Sequence, residues 1–292
     1  MIERYNIMNY ETKLDRRRKY YLILDCETAT MPYASNFEGT IKQKISIAKP
    51  LIYDLGWTVI DRYGNIYIKR NFLISEIFSV PSVFNTAYYC EKRPLYLEML
   101  RNGSITLTDW QTAIDYLLKD LVKVESVGAY NSMFDYKKAL PFTDLYIDRL
   151  YSPKFNEWET FQNELIEKMA NSNNRNESNR VFDEMHFNFR GTNYPMFDIW
   201  GLACEHILNC DEYRDLCDCN GWHSSSGKFY KTSAEMTYRF LKGNEDFIES
   251  HTALDDALIE SEIFSEIVKR TKNKFEMGII YFPFRIVGKV EQ

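Results

Sequence analysis

The chain has 292 residues, a formal net charge of −6 and 45% hydrophobic residues. This length and apolar content suffice for one large domain with a sizeable core and insertions, or for a core with a small second lobe. An acidic balance argues against a passive nucleic-acid coat protein, because basic side chains that neutralise phosphates supply most of the affinity of such proteins.

Three strands are predicted first along the chain, after a polar and charged arm at residues 1–18. Residues 20–24, 51–60 and 66–74 are aliphatic and aromatic runs typical of buried strands. A turn signal at residues 61–65 separates the second run from the third, which favours an antiparallel meander.

Helices and strands alternate in the rest of the chain. Apolar periodicity predicts helices over 112–124, 159–170, 233–241 and 252–270, and short strands at 126–130 and 196–200. Further helices are expected to begin near residue 134 and to run from the last strand to residue 208. Residues 171–180 have loop composition. This order predicts an α/β fold in which helices flank a mixed sheet whose first strands are antiparallel.

Membrane contact and secretion are not expected. No stretch reaches the ~18 uninterrupted apolar residues that a membrane span requires. Residues 1–10 lack the apolar run of a secretory signal. A cytoplasmic protein with free thiols is therefore expected, because so long a chain does not need disulfide bonds for its stability.

The first chemical constellation is Asp25-Cys26-Glu27, at the end of the first predicted strand. Side chains alternate along a strand, so Asp25 and Glu27 are predicted to share one face and Cys26 to point away. Two carboxylates on one face form half of a site for a hard metal ion. The pattern is also common at solvated strand ends.

The second constellation is Asn131-Ser132-Met133-Phe134-Asp135, which follows the predicted strand at 126–130 and opens a helix. Asp135 is predicted to lie in the first helical turn. A carboxylate there also stabilises a helix through its dipole, so the position alone does not identify a site.

The third constellation is His251-Thr252-Ala253-Leu254-Asp255-Asp256-Ala257, at the start of the long helix predicted over 252–270. Ser250 or Thr252 is expected to cap this helix. Ala253, Asp256, Ala257 and Glu260 share one face, and Asp255 is the expected solvent-facing neighbour. The sequence leaves Asp255 open as the alternative functional acid. His251 suits a general base because it titrates near neutral pH.

In this order the three constellations resemble the DEDD 3′→5′ exonucleases, and among them the His subtype that includes polymerase proofreading subunits, oligoribonuclease and ribonuclease T. The segment Asp54-Leu55-Gly56 resembles the second strand of that family. Position 252 is Thr rather than Tyr, which argues against the Tyr subtype.

The resemblance implies a ribonuclease-H-like core that binds two Mg²⁺ or Mn²⁺ ions. By resemblance, Asp25, Glu27, Asp135 and Asp256 are the metal ligands and His251 is the general base. Thr28, Ala29, Asn131 and Phe134 are the implied substrate contacts. Carboxylates converge from distant segments in such sites because two cations about 3.5–4 Å apart need several ligands.

The expected domain spans residues 19–275, with insertions near 31–49 and 152–195 and a C-terminal tail at 276–292 that packs on the core. Thr30 and Tyr130 stand where the family usually has Gly and His, which leaves the substrate preference open. Aromatic side chains in the insertions are expected to pack them against the core or to stack on bases. These side chains are Tyr33, Phe37, Phe155 and Trp158.

A cysteine- and histidine-rich segment covers residues 204–223. Its spacing lacks the paired C-x₂-C units of structural zinc sites, so buried thiols are favoured over zinc.

The predicted function is metal-dependent removal of nucleoside 5′-monophosphates from 3′ ends of single-stranded DNA. Two alternatives remain: a 3′→5′ exoribonuclease of the same family, and a catalytically inert nucleic-acid-binding protein on this fold. DNA and RNA are hard to separate from sequence because recognition of the 2′-hydroxyl depends on a few contacts.

Overall fold

A computed structural model describes residues 10–15, 17–30, 49–150 and 182–290. The strands are β1 Tyr10–Glu11, β2 Tyr20–Thr30, β3 Pro50–Asp61, β4 Ile66–Ile74, β5 Thr106–Thr108, β6 Ser126–Ala129, β7 Phe182–Asp183, β8 Met185–Phe189, β9 Thr192–Asp198 and β10 Ile279–Ile280. The α-helices are α1 Ser75–Phe78, α2 Pro81–Phe84, α3 Arg93–Asn102, α4 Trp110–Leu121, α5 Ser132–Phe134, α6 Leu140–Leu150, α7 Ile199–Ala203, α8 Asp211–Asn220, α9 Ala234–Lys242, α10 Ala253–Arg270 and α11 Phe284–Val287. A 3₁₀ turn covers Cys90–Lys92, and π-helical turns cover Asp135–Ala139 and Cys204–Leu208.

An eight-stranded mixed sheet organises the described part of the chain, in the order β1-β4-β3-β2-β6-β9-β8, with β5 paired to β4. Strands β2, β3 and β4 form the predicted antiparallel meander. Strand β6 runs parallel to β2, and β9 runs parallel to β6. The predicted α/β class with antiparallel first strands is therefore confirmed.

The sheet separates two hydrophobic clusters, and β2 contributes to both. Leu22, Leu24 and Cys26 belong to one cluster, whereas Tyr21 and Ile23 belong to the other. This alternation follows from the two-residue period of a strand. Since both faces are covered, β2 is apolar throughout until it reaches its acidic end.

Helix α10 lies directly on β2 and β3, and Gly56 makes this approach possible. A Cβ atom at Gly56 would lie 2.3 Å from the backbone nitrogen of Leu254 and 2.5 Å from the carbonyl carbon of Ala253. These are backbone atoms in the first turn of α10, so they can move only if the helix moves. Gly56 therefore sets the depth at which the N-terminus of α10 sits above the sheet.

We expect Gly56→Ala to destabilise the protein by about 1–3 kcal/mol, as overpacking of a core does. It should also displace the first turn of α10 and so impair the site described below. Denaturant unfolding measures the first effect. Gly201→Ala is the comparison, at a glycine of α7 whose Cβ would approach side-chain atoms no closer than 3.2 Å; an equal loss in both variants would contradict this role of Gly56.

The structure corrects two element boundaries. The first strand runs to Thr30 rather than ending at residue 24. The strand predicted at 196–200 begins at Thr192, where it pairs with β8, and ends at Asp198. It ends there because the Asp198 carboxylate accepts a hydrogen bond from the Gly201 amide and so caps α7. The sequence also did not predict α3, α8 or β8.

The two ends of the chain contact the rest of the fold where they are described. Strand β1 pairs with β4, and β10 pairs with β7. Val287 in α11 is buried. The helix predicted at 159–170, the loop at 171–180, most of both predicted insertions and the aromatics Tyr33, Phe37, Phe155 and Trp158 lie outside the described residues. No helix in the described ranges is both long and apolar enough to span a membrane.

Candidate active site

The end of β2 carries Asp25 and Glu27, both partly exposed. Their strand partners in β3 are Gly56 and Asp54, and the register shifts between Glu27 and Thr28. Such an irregularity re-aims side chains at a strand end. Thr28 is partly exposed, whereas Ala29 is only 1% exposed and packs in the core. The substrate contact implied at Ala29 stays a prediction.

Asp135 reaches the site from the loop after β6. Asn131 adopts the left-handed conformation (φ 73°), and the amides of Asn131 and Ser132 both donate to the Asp198 carboxylate, at 3.0 and 2.9 Å. This buried acid thus fixes the turn that opens α5. Asp135 itself begins a π-helical turn, a feature that often marks functional positions.

Cys26 points away from the face of Asp25 and Glu27, as predicted, and its thiol contacts a third acid, Asp135. Its thiol donates to Oδ1 of Asp135 at 3.0 Å, although its side chain packs on the opposite sheet face from Tyr21 and Ile23. Asp135 is 2% exposed. Burial and the nearby Asp135 carboxylate raise the pKa of the Cys26 thiol well above its usual range.

Asp54 anchors the N-terminus of α10, which carries Asp256. Its Oδ2 accepts hydrogen bonds from the Ala253 amide at 3.0 Å and from the Tyr96 hydroxyl at 2.9 Å. Thr252 is the N-cap residue, but its hydroxyl does not cap the helix and donates instead to Asp255. The predicted cap by Ser250 or Thr252 is thus replaced by a carboxylate from the neighbouring strand.

His251 precedes α10 in a left-handed conformation (φ 48°), which is uncommon for a residue other than glycine. Its ring stacks on Tyr89, with centroids 4.4 Å apart and planes inclined by 15°. Lys92 contacts both Tyr89 and the residue before His251. Its ammonium is 4.3 Å from the centre of the Tyr89 ring and donates a hydrogen bond to the Ser250 carbonyl at 2.6 Å. Tyr89 and the Cys90–Lys92 turn that follows it therefore orient the imidazole.

Three of the predicted residues form a group that could hold a metal ion. Ligand atoms of Glu27, His251 and Asp256 all lie within 4.8 Å of one another. A second group of this kind joins His251 to Glu235 and Glu249. The imidazole therefore stands between two sets of carboxylates.

The remaining predicted acids, Asp25 and Asp135, interact with the charges of the same cluster. Burial, followed by the charges of Glu260, Asp135, Asp256 and Glu27, raises the pKa of Asp25 well above its usual range. Burial likewise raises the pKa of Asp135 to about 7, of Glu27 to about 8 and of Asp256 to about 10, and neighbouring carboxylates add to each shift. Burial and Lys92 lower the pKa of His251, so its neutral form predominates at pH 7.

Asp256, not Asp255, faces the cluster. Asp256 is 5% exposed, and its Oδ1 has no hydrogen-bond partner among the described residues. Asp255 instead accepts hydrogen bonds from Ser250 and Thr252 on the outer side of the turn. An unpaired buried carboxylate oxygen is costly unless a proton or a cation satisfies it.

Sequence reasoning did not assign a site role to four further residues. Glu260, one turn after Asp256, is 2% exposed and accepts a hydrogen bond from the Tyr130 amide at 3.0 Å. Its spacing from Asp256 on one helix face was visible in the sequence. Asp54, Tyr89 and Lys92 carried no such pattern, because only the folded chain brings them to α10.

The cysteine- and histidine-rich segment does not form a metal-binding group. Both candidate groups among the described residues lack cysteine, and residues 204–223 are fully described. Cys204 and Cys217 are buried thiols.

No model of a known protein family, no curated protein and no solved structure matches this chain. The function is therefore inferred from the geometry and electrostatics of the site residues.

The crowded carboxylates predict that stability without metal falls as pH rises. Glu27, Asp135 and Asp256 have folded-state pKa values of about 8, 7 and 10, against ordinary values of 4.5, 3.8 and 3.8. Above about pH 4.5 the unfolded chain loses these protons while the folded chain keeps them, so rising pH favours unfolding.

In a chelating buffer we therefore expect the melting temperature to fall from pH 5 to pH 8. Addition of Mn²⁺ should raise it most at pH 8, because metal binding displaces protons. Calorimetry with Asp256→Asn as the comparison tests this; a wild-type melting temperature that rises over this interval in chelator would contradict the proposed charge crowding.

Proposed function

We propose that this protein is a metal-dependent 3′→5′ exonuclease that releases nucleoside 5′-monophosphates from single-stranded DNA ends. The observation that carries the proposal is the convergence of His251 and Asp256 with Glu27 at the end of β2, beside Asp25 and Asp135. The antiparallel β2-β3-β4 meander with β6 parallel to β2 supports a ribonuclease-H-like core for this site.

The residues present fit Mg²⁺ or Mn²⁺. The donor set is mainly carboxylate oxygen, which these hard cations prefer. The Oδ1 of buried Asp256, which has no hydrogen-bond partner among the described residues, is available to coordinate a cation. Asp25, Glu27, Asp135 and Asp256 would hold the ions, which when bound supply Lewis acidity to the phosphodiester and stabilise charge on its oxygens.

His251 would take the proton from the attacking water. Its imidazole is neutral at pH 7 because burial and Lys92 lower its pKa. Stacking on Tyr89 restrains the ring in one plane. The proton would leave toward solvent or toward Glu249, whose carboxylate lies 3.7 Å from Nδ1 of His251.

The substrate end would lie across the partly exposed Thr28 and Phe134 and the turn at Asn131. Tyr88 is 85% exposed, and its ring contacts Tyr89 edge-on with centroids 4.8 Å apart. An exposed aromatic beside the general base suits stacking of a base near the cleaved bond.

We expect Tyr88→Ala to raise KM for single-stranded substrate about tenfold with little change in kcat, since stacking contributes about 1–3 kcal/mol per base. Steady-state kinetics test this. Tyr116→Ala, at an exposed tyrosine of α4 that belongs neither to the acid cluster nor to its surroundings, is the control; a fall in kcat alone at Tyr88 would contradict a stacking role.

Matched DNA and RNA oligonucleotides incubated in parallel with Mg²⁺ or Mn²⁺ test the proposed activity. Preferred shortening of DNA supports the proposal, and preferred shortening of RNA assigns the same chemistry to a ribonuclease. If neither substrate is shortened, the proposed activity is wrong.

A further inference from the structure

A second charged feature lies at the far end of α10 from the acids. It is a cavity of about 880 Å³ between the β3–β4 turn, the end of α9 and the second half of α10. Five basic and two acidic side chains line it, a net charge of +3 in a chain whose formal charge is −6. They are Arg62, Lys242, Lys269, Arg270 and Lys272 with Glu262 and Glu266. We call this the basic pocket.

Two cations of the basic pocket can bind a ligand without displacing a carboxylate of the described residues. Arg62 and Lys272 are exposed and form no ion pair within the described ranges. Lys272 also adopts a left-handed conformation (φ 52°) just after α10 ends, which places it beyond the last helical turn.

The other cations have ordinary structural partners. Lys269 pairs with Glu266, and Lys242 pairs with Glu262. These pairs are largely exposed, and exposed pairs contribute little stability. A phosphate group can therefore replace the carboxylate partner at small cost.

Aromatic rings alternate with these charges. Tyr63 is 66% exposed, and the Arg62 guanidinium lies 4.6 Å from the centre of its ring. The Lys242 ammonium lies 5.2 Å from the centre of the Tyr238 ring. Cations interleaved with exposed aromatic faces are the chemistry of single-stranded nucleic-acid sites.

Helix α10 fixes the separation between this pocket and the acids. Asp256 and Lys269 lie on the same helix, 13 residues apart, which corresponds to about 20 Å at ~1.5 Å per residue. Stacked nucleotides advance about 3.4 Å each, so about six nucleotides cover this distance.

We propose that the basic pocket binds the phosphodiester backbone of a single-stranded nucleic acid about six nucleotides upstream of the 3′ end held by the acids. The distance of six nucleotides rests on the proposed function, which places the 3′ end at the acids. Binding should then depend on the length of the strand. Strands shorter than about six nucleotides occupy the acidic site alone, whereas longer strands occupy both sites.

The test compares the double variant Arg62→Glu/Lys272→Glu with the control Arg101→Glu/Lys119→Glu. The control carries the same charge change at exposed cations outside the pocket. Fluorescence anisotropy measures binding of labelled single strands of about 20 and about 4 nucleotides in Mg²⁺, with 3′-terminal linkages that resist hydrolysis. Melting temperatures verify that both double variants fold.

We expect the pocket variant to bind the long strand at least about tenfold more weakly than the control does. The slope of log K against log salt concentration should fall by the amount that about two phosphate contacts contribute. Both variants should bind the short strand equally. Equal binding of the long strand by both variants, or an equal loss for short and long strands, would overturn the proposal. The measurement needs no turnover. If the pocket variant binds the long strand more weakly but the wild type does not hydrolyse DNA, the basic pocket is supported and only the exonuclease activity is rejected.

Discussion

Asp256→Asn is expected to reduce hydrolysis by about 10³-fold or more, because it removes a ligand from a site whose metal ions contribute several kcal/mol of transition-state stabilisation. The substitution preserves the size and shape of the side chain. It removes a buried acid whose pKa is raised to about 10 by burial and by Glu249 and Glu27. Without metal the variant should therefore be at least as stable as the wild type at pH 8.

Asp255→Asn is the matched control, on the same helix turn and with the same chemical change. Asp255 accepts hydrogen bonds from the Ser250 and Thr252 hydroxyls and does not face the cluster. We expect it to retain most of the wild-type activity. Equal losses in the two variants, or loss of folding in Asp256→Asn alone, would contradict the assignment of Asp256 as the functional acid.

His251→Asn is expected to reduce kcat by about 10²–10⁴-fold, the range that general base catalysis contributes. Asparagine suits this position because it tolerates the left-handed conformation that His251 adopts. The metal-induced rise in melting temperature should largely persist, since the carboxylates remain.

The pH profile separates this role from a structural one. In the wild type, kcat/KM should rise with pH through a pKa below 6.5, because burial and Lys92 favour the neutral imidazole. This rise should disappear in His251→Asn. His223→Asn, at a half-buried histidine paired with Asp218, is the control; an unchanged profile in His251→Asn would contradict the assignment of His251 as the base.

The sequence predicted the sheet well where its patterns were local. The β3–β4 hairpin lies within one residue of the bounds expected from its turn at residues 61–65. The strand at 196–200 was misplaced because its apolar run continues into α7, and the boundary is set by the Asp198 carboxylate. That carboxylate also accepts hydrogen bonds from the amides of Asn131 and Ser132. No local pattern in the sequence indicates this contact between distant segments.

In the candidate site, too, the residues with a local pattern were predicted, and those that act through tertiary contacts were not. Spacing on a strand and on a helix identified Asp25, Glu27 and Asp256, and the structure brings them together. The residues that hold the constellation in place were not predicted. Asp54 anchors α10 from the neighbouring strand, and the Tyr89 ring, just before a 3₁₀ turn, stacks on His251. Such residues act through tertiary contacts and leave no periodicity in the sequence.

A time course on 5′-labelled single-stranded DNA and RNA of one sequence tests the central claim most directly. Reactions contain Mg²⁺, Mn²⁺ or EDTA, with Asp256→Asn in parallel. We predict a metal-dependent ladder that shortens from the 3′ end, is stronger on DNA and is absent in the variant. If wild type and variant leave both substrates intact with either metal, the acid cluster does not catalyse hydrolysis and the proposed function is wrong.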